Sequence, residues 1–158
     1  SSGSKTFGLA GLATAFSLVS DAKNRQAFAR EQRRAGYFWG NIFGDTALTA
    51  AFTQGHEWLD EQLVYLQDNY QLIVQSFAGH PRIKMTPLEG TYLAWLDFRL
   101  YNRPEEEMID TLYTKAKVAI EAGSLYGQPG MGFHRLNFAT QRSILQEGLT
   151  RILETFPN

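Results

Sequence analysis

Cysteine is absent from the sequence, and this absence excludes two ways of stabilising a fold. The chain can have neither a disulfide framework nor a thiolate metal site, and the composition agrees with a cytoplasmic location. Histidine is scarce too. His56, His80 and His134 are spaced too widely for a metal-binding pair on one helix, and no cluster of carboxylates completes a ligand set. The sequence therefore predicts no bound metal.

Long apolar runs and an excess of one charge are also missing. Apolar stretches such as residues 92–96 are far shorter than the roughly 20 residues that a membrane span needs. The start of the chain has no cationic region followed by an apolar segment, so nothing indicates a secretory signal. The formal net charge is -1 with both signs mixed along the chain, so no global field favours nucleic acid or an anionic membrane. We expect neither kind of partner.

The 158 residues are 44% hydrophobic and 13% aromatic, which is enough to build the core of a globular domain. The clearest periodicity predicts a long helix that ends at Gly79, before Pro81. Its apolar positions are Leu59, Leu63, Leu66, Tyr70, Ile73 and Phe77. We interpret this stripe as part of the core.

Other segments predict a mixture of strands and helices, and therefore an α/β fold. Strands are predicted at residues 12–19, 83–86, 91–98, 118–120 and 135–138. Helices are predicted after Ser20 or Asp21, at residues 45–53 with Asp45 as cap, from Pro104 onward, and at residues 143–156. Residues 23–34 carry five Lys or Arg against one Glu; a solvated helix face is the expected explanation, and a phosphate-binding patch is the alternative.

The first segment that indicates chemistry is Ser2-Gly3-Ser4-Lys5-Thr6-Phe7-Gly8-Leu9-Ala10-Gly11. Its lysine stands among hydroxyls and glycines rather than among the charged residues that usually surround a surface lysine. A lysine that forms an imine with an aldehyde must react as a neutral amine, and nearby hydroxyls can bind a phosphate. Taken alone, the segment is also compatible with a glycine-rich loop that has no chemical role.

Two other motifs overlap this segment and neither is complete. Ser2 and Lys5 satisfy S-x-x-K of acyl-serine enzymes, but the companion S-D-N and K-T-G signals are missing. A phosphate-binding Walker loop needs Gly directly before Lys, and Ser4 intervenes here. The chain also lacks the G-x-S-x-G motif of serine hydrolases. These three activities are therefore disfavoured.

A second glycine-rich segment runs over residues 123–138 and ends in an apolar strand that contains Arg135. Gly127, Gly130 and Gly132 give G-x-x-G-x-G, the reverse of the dinucleotide fingerprint, and lead into a strand rather than a helix. Nicotinamide binding is therefore disfavoured. A guanidinium at the start of such a strand can clamp a carboxylate through two parallel hydrogen bonds. The alternative is that Arg135 pairs with a structural Asp or Glu.

Four ordered blocks of the sequence together carry a family resemblance. They are residues 2–11, 57–60 (Glu-Trp-Leu-Asp), 89–97 (Glu-Gly-Thr-Tyr-Leu-Ala-Trp-Leu-Asp) and 135–139 (Arg-Leu-Asn-Phe-Ala). With these blocks the chain resembles the fold-type-I pyridoxal-phosphate (PLP) enzymes of the class I/II aminotransferase superfamily, and most closely its cystathionine β-lyase type. The resemblance implies the C-terminal part of an aspartate aminotransferase-like α/β fold. Residues 1–45 would end the PLP-binding large domain, and residues 46–158 would form the small domain.

The resemblance also implies roles for individual residues. Lys5 would bond covalently to PLP and later take the α-proton of the substrate, while Ser2 would contact the PLP phosphate, assisted by Ser4 and Thr6. Arg135 would hold the α-carboxylate of an amino acid substrate. The parent protein would be a homodimer with active sites at the subunit interface, and the isolated chain would bind PLP weakly and have no turnover.

One departure from the family pattern bears on the reaction. Many aminotransferases of the superfamily carry a phosphate-binding Arg eight residues after the lysine, and this sequence has Ala13 there, as the β-lyase branch tends to. We therefore expect α,β-elimination on a sulfur amino acid such as cystathionine. The alternatives are an amino acid aminotransferase and, in a different class, a non-catalytic regulatory domain that retained the fold.

Overall fold

The computed structural model describes residues 1–157, which divide into two compact units. The first is Ser1–Gln62, and the second begins at Leu63. The sequence-based boundary between a large and a small domain falls earlier, after residue 45, and it stays a prediction. No helix within residues 1–157 is both long and apolar enough to cross a membrane.

The first unit is built from helices α1 (Ala22–Arg34), α2 (Ile42–Gln54) and the start of α3 (His56–Phe77). Of the two predicted caps of α1, Ser20 and Asp21, the structure confirms Asp21, whose side chain accepts a hydrogen bond from Asn24 N at 2.7 Å. The predicted start of α2 at Asp45 is wrong. Its cap is Asn41, whose side-chain oxygen accepts from Phe43 N at 3.1 Å and so satisfies a donor that the first helical turn leaves open.

The strand predicted at residues 12–19 does not form. The chain makes a 3-10 turn at Ala10–Leu12, then Ala13 takes a left-handed conformation with φ 49°. Within the described residues this segment pairs only at one isolated bridge, between Ala15 and Ser2. The apolar and β-branched residues therefore lie in an extended segment, because a ladder needs a neighbouring strand along its whole length.

The second unit contains a four-stranded antiparallel sheet in the order β1-β2-β4-β3. Its strands are β1 (Lys84–Met85), β2 (Leu93–Asp97), β3 (Glu121–Ala122) and β4 (Phe133–Asn137). The strand predicted at residues 118–120 begins later, at Glu121. Lys117 is left-handed with φ 55°, and Val118 N donates to Leu112 O at 2.9 Å. Residues 117–118 therefore close the preceding helix instead of entering the sheet.

Two helices complete the second unit. The helix predicted at Pro104 is confirmed as α4 (Glu105–Asp110), which continues as a π-helical turn over Thr111–Lys115. The last predicted helix is α5 (Arg142–Thr155). Short 3-10 turns lie at Arg99–Tyr101, Gly123–Tyr126 and Gln128–Gly130.

The sheet separates a buried face from an outer face because successive side chains of a strand point to opposite sides. The buried face carries Ala94, Leu96, Ala122, His134 and Leu136. It belongs to one hydrophobic cluster with residues of α3, α4 and α5, including Ile73, Phe77, Met108, Leu145, Leu149 and Ile152. Trp95, Asp97, Glu121, Phe133 and Arg135 alternate with the buried positions and lie on the outer face.

The predicted long helix is confirmed as α3, but its apolar stripe is only partly core. Ile73 and Phe77 are buried, whereas Leu63 is 54% exposed. The helix ends as predicted, with Gly79 in the left-handed region at φ 76°.

Candidate functional site

The lysine segment forms a tight turn with defined backbone hydrogen bonds. The Gly3 carbonyl accepts from Phe7 N at 3.0 Å and from Leu9 N at 3.3 Å. Ser1 and Phe16 exchange two further bonds, of 2.7 and 2.8 Å. Lys5 therefore lies in a turn that backbone hydrogen bonds hold both before and after the lysine.

An aromatic side chain packs this turn against the junction of α2 and α3. The Phe7 ring meets Phe52 edge-on, with centroids 5.3 Å apart, and lies 6.2 Å from Trp58. A Cβ atom added to Gly55, at the junction, would lie 2.8 Å from Phe7 Cε1. Buried Gly3 is also closely packed, since an added Cβ would lie 3.0 Å from Leu48 Cδ1 and 3.2 Å from Leu9 Cδ1.

The polar groups of the turn suit a ligand that carries both an aldehyde and a phosphate. Lys5 is an exposed residue, and a primary amine is the group that condenses with an aldehyde. Ser2 Oγ accepts from Ser4 N at 3.3 Å, which leaves its hydroxyl proton to donate to another group. The hydroxyls of half-buried Ser4 and exposed Thr6 lie on either side of the lysine in the chain. The amine suits the aldehyde of such a ligand, and the hydroxyls suit its phosphate.

Arg135 lies on the outer face of the sheet in the second unit. Its register partners are Trp95 on β2 and Glu121 on β3. Its Nη2 donates to Glu121 Oε2, and its guanidinium carbon lies 4.5 Å from the centre of the Tyr126 ring. The open alternative, a pairing of Arg135 with an acidic side chain, is thus observed. A guanidinium has five N–H donors, so this pairing does not exhaust its capacity for a carboxylate.

Tyr126 and Trp95 complete the surroundings of this guanidinium. The Tyr126 hydroxyl donates to the same Oε2 atom of Glu121, and that hydrogen bond, with some burial, raises the pKa of the phenol. The Trp95 ring meets Tyr126 at 75°, with centroids 5.5 Å apart. We call these four residues (Trp95, Glu121, Tyr126 and Arg135) the arginine cluster.

A second arginine on the outer face is held differently. Asp97 Oδ1 accepts from the backbone N and the Nε of Arg99, both at 2.9 Å, and Oδ2 accepts from Nη2 at 2.7 Å. These bonds lower the pKa of the Asp97 carboxyl. The Arg99 guanidinium also lies 4.4 Å from the Phe133 ring centre. Both carboxylate oxygens of Asp97 are therefore bound to Arg99.

His134, next to Arg135 in β4, points to the opposite side. It is fully buried, and neither ring nitrogen has a hydrogen-bond partner among residues 1–157. Burial lowers its pKa, against a weaker opposing effect of the Glu105 carboxylate. It lies beside Phe98, whose ring centroid is 5.3 Å away. We therefore treat it as a neutral core residue.

The structure thus places Ser2, Ser4, Lys5 and Thr6 together in the first unit, and Arg135 in the second. Within the described part of the chain no three His, Asp or Glu side chains are grouped so as to hold a metal ion. Sequence reasoning did not single out Glu121, because no motif contains it. Its position opposite Arg135 depends on the pairing of β3 with β4.

Comparison with known proteins agrees with this fold. The family model described as aminotransferase class I and II matches residues 1–152. Cystathionine β-lyase PatB of Bacillus subtilis is 37% identical over 94% of this chain and 39% of its own length. Protein MalY of Escherichia coli is 35% identical over 96% of this chain and 40% of its own length.

A solved structure with a similar fold is that of cystalysin from Treponema denticola, which contains a pyridoxal 5'-phosphate cofactor. It matches with a TM-score of 0.91 and 28% identity, over 98% of this chain and 40% of the cystalysin chain. The fold is therefore an α/β fold of the PLP-dependent aminotransferase type. The chain belongs to the aminotransferase class I and II family, and it spans about 40% of the length of the relatives that it matches.

Proposed function

We propose that the protein containing this chain is a PLP-dependent carbon–sulfur β-lyase that acts on a sulfur amino acid such as cystathionine. The products would be a thiol, ammonia and pyruvate. The identity of 35–37% with PatB and MalY over almost the whole chain supports this assignment. Ala13 supports it too, because it replaces the Arg that many aminotransferases of the superfamily carry there.

The observation that carries the proposal is the lysine turn. Lys5 is an exposed residue in a hydrogen-bonded turn, with the hydroxyls of Ser2, Ser4 and Thr6 within three residues of it in the chain. Lys5 would bond to the aldehyde carbon of PLP, and the hydroxyls would donate to its phosphate. Released from that bond, the Lys5 amine would remove the α-proton of the substrate.

PLP, when bound, supplies an electron sink for the bond that breaks at the substrate α-carbon. Arg135 would bind the α-carboxylate, because a planar guanidinium matches a carboxylate in geometry and charge. Holding the carboxylate fixes the rotation of the substrate, and so decides which bond at the α-carbon is aligned for cleavage.

The remaining features of the parent protein are proposals drawn from the same resemblance. The chain would form its C-terminal part, with residues 1–45 ending the large domain and residues 46–158 forming the small domain. The parent would be a cytoplasmic homodimer with active sites at the subunit interface. The matches cover about 40% of the length of the relatives but do not say which part of the relatives is matched. Peptide mapping of the intact parent protein would locate this segment directly. The isolated chain should bind PLP weakly.

The activity is tested on the full-length protein with L-cystathionine. Pyruvate should form without any added 2-oxo acid, Lys5→Ala should abolish it, and Lys23→Ala, in helix α1, should not. Borohydride should fix PLP covalently on the peptide that contains Lys5. Product formation that requires a 2-oxo acid would identify an aminotransferase instead. A protein that neither forms product nor becomes labelled at Lys5 would refute the enzymatic assignment and favour a regulatory role.

A further inference from the structure

The arginine cluster contains one oxygen that accepts two hydrogen bonds. Glu121 Oε2 takes one from Arg135 Nη2 and one from the Tyr126 hydroxyl. The two donors come from different places, because Arg135 is on a strand and Tyr126 ends a 3-10 turn. Glu121, on β3, therefore connects the strand to the turn.

These contacts fix the guanidinium in three ways. Glu121 binds one nitrogen, the Tyr126 ring lies against the plane at 4.5 Å, and Trp95 supports that ring edge-on at 5.5 Å. A free arginine side chain samples many rotamers, and ordering it on ligand binding costs affinity. The cluster has already ordered Arg135 before any ligand arrives.

Part of the Arg135 side chain remains accessible to solvent. The Arg135 side chain is only 22% exposed, whereas that of Glu121 is 50% exposed. Glu121 is bound to one edge of the guanidinium, so further N–H donors remain for a second carboxylate. Two carboxylates on one guanidinium are compatible because each uses different donors.

We propose that Glu121 and Tyr126 are positioning residues that hold the Arg135 guanidinium in the orientation that binds the α-carboxylate of the amino acid. This inference rests on the proposed function for the role of Arg135. It predicts that Glu121 increases affinity for the amino acid without taking part in the bond-breaking step. It also predicts that the accepting oxygen of Glu121 matters more than its charge.

The test compares Glu121→Ala, Glu121→Gln and Tyr126→Phe in the full-length holoenzyme. The first readout is kcat and KM with L-cystathionine. The second is the Kd of L-alanine, measured by calorimetry, because L-alanine has the α-carboxylate but no leaving group. Glu121→Ala should raise both KM and Kd about five- to twentyfold, as expected when one charge-assisted contact is weakened, with kcat within about twofold. Glu121→Gln keeps an accepting oxygen and should restore most of the affinity. Tyr126→Phe keeps the ring contact and should have a smaller effect.

A matched control is Glu147→Ala, which breaks the ion pair with Arg151 on α5 and should leave KM and Kd unchanged. Thermal midpoints show whether each variant is folded, and if Glu121→Ala is not, Glu121→Leu, which fills the position but has no accepting oxygen, takes its place.

Three outcomes overturn the inference. One is a lower KM in Glu121→Ala, which would make Glu121 a competitor of the substrate. Another is a loss confined to kcat, and the third is an unchanged Kd. An unchanged Kd in Arg135→Ala would also overturn the inference. The lyase assignment would still stand in that case if pyruvate formation depends on Lys5. If the lyase assignment alone is wrong, no pyruvate forms, but the variants still show the expected changes in the Kd of L-alanine.

Discussion

The loop that carries Tyr126 should be unusually sensitive to a single methyl group at Gly123. Gly123 and Gly130 lie backbone against backbone, and a Cβ on Gly123 would overlap the Gly130 carbonyl oxygen and lie 2.8 Å from Phe133 O. Neither neighbour is a flexible side chain that could rotate away. Gly123→Ala can therefore be accommodated only if the loop moves.

The expected loss of stability follows from two opposing effects. Forcing an extra carbon into a packed site costs typically 1–3 kcal/mol, and backbone neighbours place this site toward the upper end. Alanine also restricts the unfolded chain, which returns about 0.4–1 kcal/mol. The net loss is about 1–2 kcal/mol, which corresponds to a thermal midpoint lower by roughly 2–8 °C for a chain of this size.

The assay is thermal unfolding of the 158-residue chain, followed by circular dichroism. The matched control is Gly90→Ala, since Gly90 has nothing within 4 Å of an added Cβ and no positive φ. Its midpoint should stay the same or rise slightly. Equal midpoints for the two variants would refute the close packing of the loop, and with it the rigid placement of Tyr126 over Arg135.

Three further substitutions test other parts of the structure. Asn69→Ala removes a buried side chain that donates to two backbone carbonyls at 3.0 and 3.1 Å; it should cost about 2–4 kcal/mol by urea unfolding, whereas exposed Gln71→Ala on the same helix should cost little. His134 has a pKa lowered by burial, so the unfolded state takes up the proton first and stability should fall as the pH drops below about 6.5. Urea midpoints measured between pH 8 and 5 should show this fall in stability. The fall should be smaller in His134→Leu, and it should persist in the control His56→Gln, which changes an exposed histidine. Phe7→Ala should slow borohydride-dependent labelling of the full-length protein because the lysine turn loses its packing, and an unchanged rate would contradict that role.

Local sequence signals predicted the helices well, because a helix is specified by residues within a few positions of each other. The spacing of apolar residues gave α3 and its end at Gly79, and the acidic residue at position 21 gave the cap of α1. The cap of α2 was misplaced by four residues. Both Asn41 and Asp45 are residue types that cap helices well, and the structure decides for Asn41, whose side-chain oxygen accepts a hydrogen bond from Phe43 N.

Strands were predicted less well, because a strand depends on partners that are distant in sequence. Residues 12–19 have strand-like composition but pair only at Ala15 within the described residues. Val118 has a suitable side chain, yet its N–H is taken by Leu112 O at the end of a helix. Composition indicated which segments tend to form strands, and the available hydrogen-bond partners decided which of them do so.

The same distinction explains which candidate site residues the sequence could propose. Lys5 and Arg135 stand in recognisable sequence blocks, so both could be proposed without a structure. Glu121 lies 14 positions before Arg135 and becomes its neighbour only through the pairing of β3 with β4. A contact of this kind follows from sheet register, which the sequence pattern did not specify.

The neighbouring positions His134 and Arg135 show why a one-residue shift of β4 in the sheet is disfavoured. Successive residues of a strand face opposite sides, so a slip of one residue would turn the guanidinium into the core and the imidazole onto the outer face. His134 is buried beside Phe98 with no hydrogen-bond partner among residues 1–157, a position that a neutral ring tolerates. A guanidinium in the same place would remain charged, and burying a charged group costs far more than burying a neutral ring. The buried face of the sheet therefore fixes the direction in which Arg135 points, and Glu121 and Tyr126 need only set its final orientation.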